Sequence, residues 1–151
     1  MRGFYFVVLV AALVAAVGCQ RSACDKAYRD WFWEDAAGTK AHFDNYKQVL
    51  LVRVGEDHWV DGGKHRLSMH HYQGTVERAF KGDWKIAEPI AFVQGFDYSF
   101  STNANRCVGE QLVLLTDEYT NSEIGIDTGD LLAYEGPFKQ VLHCVFGEAE
   151  R

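Results

Sequence analysis

The chain has 151 residues, 48% of them hydrophobic, with only 2 prolines and a formal net charge of −6. That length and apolar content support one domain with a real core and exclude a disordered chain. The acidic balance, without any block of Lys and Arg, excludes a nucleic-acid binder that tracks phosphates.

The first stretch has to be set aside before the fold is read. Arg2 supplies a single positive charge, Phe4 to Val17 is uninterrupted and apolar, and the small pair Gly18-Cys19 follows, which is the layout of an export signal. The run is shorter than the roughly 20 apolar residues a permanent membrane span needs. Ala16-Val17-Gly18-Cys19 resembles the lipobox of bacterial lipoproteins, in which the chain is cut before a cysteine that carries a diacylglyceryl thioether. Ala16 stands where leucine is usual. The resemblance implies a signal peptide over residues 1–18, a lipid attachment and tether over 19–24, and a working domain over 25–151. Cys19 would carry the lipid, palmitate included, and three acyl chains hold a protein on a bilayer far more firmly than one. The expected place is the cell envelope, facing the periplasm or the exterior, with the membrane as a partner through the lipid. Secretion after Gly18 is the alternative. Removal of Arg2 with the leader takes the net charge from −6 to −7.

Cysteine parity bears on that choice. Lipidation of Cys19 leaves Cys24, Cys107 and Cys144, an odd number in an oxidising compartment, whereas secretion leaves four and allows two bridges. Cys107–Cys144 is one candidate pair, and its loop of 37 residues would stabilise the fold by about 4 kcal/mol on the chain-entropy argument.

From Asp25 the pattern is helical. Tyr28 and Phe32 are four apart, as are Ala27 and Trp31, with Arg29, Asp30 and Glu34 opposite, and Gly38 reads as the stop. Trp31-Phe32-Trp33 is the most aromatic point of the mature chain; it reads as a cap over an open end of the core, or with Trp31 and Trp33 as a binding surface. Val49 to Val54 is apolar on both faces, which predicts a central strand, and Glu56 to Lys64 reads as a polar loop. Leu67 and Met69 share the odd face while Tyr72 begins an even one, so a β-bulge is expected at His70-His71. From Tyr72 to Phe80 the even positions Tyr72, Gly74, Val76, Arg78 and Phe80 form the predicted buried face. Lys81-Gly82-Asp83 breaks this pattern, and Ile90 to Val93 resumes it as the second arm of an antiparallel hairpin. Asp97 to Arg106 is a polar loop and a second candidate binding region. Gln111 to Thr116, Ile124 to Ile126, Leu131 to Tyr134 and Val141 to Phe146 complete the predicted strands, with breaks at Asp127 to Asp130 and Gly136-Pro137. The expected fold is mainly β, a small OB-like antiparallel β-barrel with an N-terminal helix.

The middle of the chain resembles the netrin-like module of the tissue inhibitors of metalloproteinases and related secreted domains, an OB-type barrel. The residues that carry the likeness are Val76 to Gly82, ending in a Lys-Gly turn, then Ile90 to Val93, then Cys107-Val108-Gly109 leading into Leu112 to Leu115. The resemblance implies a bridge between an early cysteine and one placed like Cys107, hence Cys24–Cys107. The inhibitors begin their mature chain with Cys-x-Cys; here Cys19 is followed by Cys24. Their inhibitory residues have no counterparts, and protease inhibition is not carried over.

Two groups suggest chemistry. Asp127-Thr128-Gly129 resembles the aspartic-protease triplet, but only 22 residues follow Gly129, so it reads as a turn. His58, His65, His70 and His71 lie within fourteen residues, and imidazoles are common zinc and copper ligands. No HExxH, CxxC or GxSxG is present. The expectation is a non-catalytic binding or interaction module that needs no cofactor and takes a protein or envelope-component partner. The alternative is a metal-binding envelope protein built on the histidines between His58 and His71.

Overall fold

The structure, a computed structural model, describes residues 24–30, 35–63, 68–96, 108–117, 123–126 and 131–147. These fall into two compact units. One is the described part of Met1–His42 and Gly136–Arg151, and the other is Phe43–Glu135.

In the first unit residues 24–30 are helical (α1) and bury Ala27 and Tyr28. Helix does not stop at Gly38, as the sequence predicts; α2 runs over Ala36–Asp44 and passes through it. Asp35 caps that helix, its Oδ1 accepting the Gly38 amide at 2.9 Å. The third amide of a helix lacks a carbonyl partner, and an aspartate side chain supplies one. Val141 to Phe146, expected as a strand, is the second half of α3, Gly136–Phe146. Pro137 sits just inside its start, where the missing N–H costs nothing, and Phe138, Val141 and Leu142 are buried at helical spacing. Cys24 of α1 is bridged to Cys144 of α3, with Cα atoms 5.7 Å apart. This replaces both expected pairings, Cys107–Cys144 and Cys24–Cys107; Cys107 itself lies outside the described residues. Closing 120 residues stabilises the fold by up to about 5 kcal/mol on the same entropy argument.

The second unit is one curled, six-stranded, half-barrel sheet of β1 (Gln48–Val60), β2 (Ser68–Lys81), β3 (Pro89–Phe96), β4 (Gln111–Thr116), β5 (Ile124–Ile126) and β6 (Leu131–Ala133), ordered β5-β3-β2-β1-β4-β6. The inner order β4-β1-β2-β3 is that of a Greek key, and the fold is the mainly β, OB-like one expected. Among the described residues, the one departure from antiparallel pairing is β3 with β5, which run parallel. β5 and β6 lie on opposite edges of the sheet although only 127–130 separate them in sequence. Six flat strands would put those edges roughly 24 Å apart, whereas the chain from Ile126 to Leu131 reaches about 18 Å at most. The sheet therefore has to curl.

The hairpin of β2 and β3 forms as predicted, with Gly82 at φ 106° leaving β2. β1 is central, paired with both β2 and β4, and is buried on both faces from Val49 to Val52. Its concave face supplies Leu50, Val52 and Val54 to a core completed by Tyr72, Val76, Trp84, Ile90, Phe92, Leu112, Leu114 and Ile124. β1 is also longer than expected, since Gly55 to Val60, assigned to a loop, continues the strand.

Candidate functional site

The polar chemistry of the sheet is placed by one glycine. Val54 pairs with Gly74 and Glu56 with Gln73, so Gly55 is an extra residue in β1. A single extra residue reverses which side chains face inward. Up to Val54 the even positions of β1 face the core; beyond Gly55 the odd ones do, and Asp57 is buried while Glu56 and His58 are exposed. The bulge expected at His70-His71 is absent, and the ladder is continuous from Glu56↔Gln73 to Val60↔Met69. β2 keeps one parity there, burying Ser68, His70, Tyr72 and Val76. Further on, Glu77 is an extra residue in β2, so Ala79 rather than Arg78 or Phe80 packs against the core. Arg78 instead lies 4.3 Å over the Phe80 ring.

On the concave face the bulge brings Asp57 and Trp59 opposite Tyr72 and His70. His70 Nδ1 lies 2.9 Å from Tyr72 Oη, and its Nε2 lies 3.4 Å from Asp57 Oδ2, with the Asp57 side chain 0% exposed. A carboxylate can only accept, so the proton of the neutral ring sits on Nε2, facing Asp57, and Nδ1 accepts from the phenol. Trp59 meets the imidazole edge-on at 5.7 Å, and Tyr72 stacks on Phe92 at 4.8 Å. Burial lowers the pKa of His70 below its ordinary 6.5; the charge and hydrogen bond of Asp57 push the other way without overcoming it, and His71 and His58 add to the lowering. His70 is thus a neutral histidine with both ring nitrogens committed to neighbours in the core. Gln94 of β3 pairs with it from the other side and is also buried.

The convex face, covered at Val49 and Leu51, is open around the bulge. Arg53, Val54, Gly55, Glu56, Gln73, Gly74 and Thr75 line a solvent-facing groove of about 320 Å³ around the bulge. Arg53 is held at its rim, donating from Nη1 to the Gly109 carbonyl at 2.9 Å and from Nε to Glu77. Partial burial would raise the Glu77 carboxyl, but hydrogen bonds from Gln111 and Arg53 and the charge of Arg53 outweigh it and leave the group below the ordinary carboxylate range. Gly74 lets the two backbones approach here, because a Cβ on it would come 2.5 Å from the Arg53 carbonyl oxygen and 2.7 Å from Val52 Cγ1.

The histidines therefore divide. His70 points inward; His58 and His71 face each other across β1 and β2 on the convex side. His71 Nδ1 is 2.7 Å from Glu123 Oε1. With no bulge between them, His70 and His71 lie on opposite faces and do not share an ion. His65, Trp31, Trp33, Cys19, Asp127 and the Asp97 to Arg106 loop lie outside the described residues. Sequence reasoning missed Asp57 and Tyr72 as an inward polar pair; the usable signal was Gly55, since an isolated glycine in a strand pattern marks a bulge. No known protein family and no characterised protein matches the chain.

Proposed function

We propose that this chain is an exported lipoprotein of the cell envelope, anchored through Cys19, that works by binding an envelope component rather than by catalysis. The observation that carries the reading is the Cys24–Cys144 bridge. Bridges persist in oxidising compartments outside the cytoplasm, which agrees with the export signal at residues 1–18. With Cys19 acylated and this bridge closed, Cys107 is left as the odd thiol. The binding surface is the groove around Gly55, where Glu56, Gln73 and Thr75 offer donors and acceptors beside Arg53. The Greek-key order and the Lys81-Gly82 turn support the netrin-like, OB-type likeness as part of the same reading.

Intact mass of the mature protein tests the anchor. The expected result is a chain beginning at Cys19, carrying diacylglycerol and a further acyl group, that gains the mass of two hydrogens on reduction. A mature chain without lipid would replace the anchored reading with plain secretion. For the surface, the Cys19→Ser protein is mixed with isolated envelope fractions. Thr75→Arg fills the groove from an exposed position, and lost retention with an unchanged melting temperature is expected. Undiminished retention would move the binding surface elsewhere.

A further inference from the structure

We infer that His58 and His71 form a two-histidine site for a divalent transition metal, copper or zinc, on the convex face, with Glu123 orienting His71. This inference requires neither the lipid anchor nor the groove. The two residues are register partners on antiparallel neighbours, and directly opposed side chains on one face have Cβ atoms about 5 Å apart. That spacing suits two imidazoles converging on one ion. Both side chains reach solvent. His71 Nδ1 is 2.7 Å from the Glu123 carboxylate, which can only accept, so in the neutral ring, the form that binds a metal, the proton sits on Nδ1 and the lone pair on Nε2. This is the arrangement in which a metal-binding histidine is held by a carboxylate behind it. His70 takes no part, because its Nδ1 and Nε2 are turned to Tyr72 and Asp57.

Among the described residues no group of three or more His, Cys, Asp or Glu side chains is placed to hold a metal. The described residues thus supply two ligands, and water or a further donor completes the coordination. Such a site is labile rather than structural, since closed structural zinc sites use four protein ligands. Imidazole donors favour copper over zinc in the usual divalent order.

The test uses the mature chain with its disulfide intact, stripped with chelator and titrated with Cu²⁺ and, separately, Zn²⁺, followed by calorimetry and by the electron paramagnetic resonance of copper. One ion per chain is expected, with copper bound more tightly and two nitrogen ligands in its spectrum. His58→Ala and His71→Ala each weaken binding by roughly 10-fold or more, and Glu123→Ala weakens it by about 10- to 100-fold, as loss of an orienting carboxylate does. His65→Ala leaves affinity unchanged. His58, His71 and Glu123 lie outside the buried core, and melting temperatures confirm folding. Absence of saturable binding, affinity unmoved by His58→Ala and His71→Ala, or a loss on His65→Ala equal to theirs would each overturn the assignment. Because lipid and groove play no role, failure here leaves the proposed function standing, and failure of the anchor or groove tests leaves this site standing.

Discussion

The β1–β2 ladder is two different materials on either side of Gly55. Before the bulge, Leu50, Val52 and Val54 face inward with Val76 and Ala79 and are joined by Leu112 and Leu114 of β4. Beyond it, the same two strands present Asp57, Trp59, His70 and Tyr72 to the concave side, beside Gln94. Strand period, pairing and curvature are shared; the chemistry is not. The apolar half is stabilised without direction, by area removed from water. The polar half depends on partners, since a buried donor or acceptor left unmet costs about 1–3 kcal/mol. One inserted glycine lets a single pair of strands serve both uses, and it turns His58 to the face that His71 occupies.

The severest way to break this comparison is to remove the glycine. Deleting Gly55 restores one parity along β1 and turns Glu56 and His58 inward in place of Asp57 and Trp59. We expect residues 56–60 and 68–73 to lose amide-exchange protection; retention of wild-type protection there would refute the role given to the bulge. Next in size is the apolar half, where Leu50→Ala should lower stability by about 2–5 kcal/mol in denaturant titration with an unchanged slope. At the junction, Gly74→Ala forces a methyl against the Arg53 carbonyl oxygen and Val52, and a loss of about 1–3 kcal/mol is expected. In the polar half, Tyr72→Phe removes the donor to His70 Nδ1 while keeping the ring stack on Phe92. A loss of about 1–3 kcal/mol is expected, and a variant as stable as the parent would mean the network is not coupled.

The smallest effect is in pH dependence. His70 faces Asp57 from β1 and Tyr72 from its own strand; Gln94 and Phe92 of β3 add no charge, and His58 and His71 act from the opposite face. Its folded pKa is lowered below 6.5, so the unfolded chain binds the proton more readily. Stability from this group is therefore fully present above about pH 6.5 and lost as pH falls through the lowered folded value. Melting temperatures between pH 7.5 and 5, taken with chelator present, should fall more steeply for the parent than for His70→Phe. Parallel curves would show that the buried imidazole does not couple folding to protons.

Parts of this fold were legible because their causes are local. The strand at Val49–Val54, the turn after Lys81, the hairpin of β2 and β3 and the run Gln111–Thr116 each follow from period-two patterning and turn chemistry within a few residues. α3 is hidden for a reason that is also local: Gly136-Pro137 reads as a break, whereas proline just inside a helix start is favoured, and Phe138, Val141 and Leu142 carry the helical spacing. The candidate site was less legible. His58, His65, His70 and His71 read as a cluster, but which of the described three share a face depends on register summed along both strands, and the bulge that resets it lies at Gly55 instead of His70-His71.

By itself the sequence determined a mainly β domain with β1 at its centre, because alternation of apolar residues and buried area are properties of short segments. The tertiary structure alone decided that Cys24 meets Cys144, that β5 runs parallel to β3, and that Asp57 and Tyr72 enclose His70 while His58 meets His71 outside. These join residues far apart in sequence or reverse a parity by one position, and the free energy that selects among such pairings is created only when the chain closes on itself.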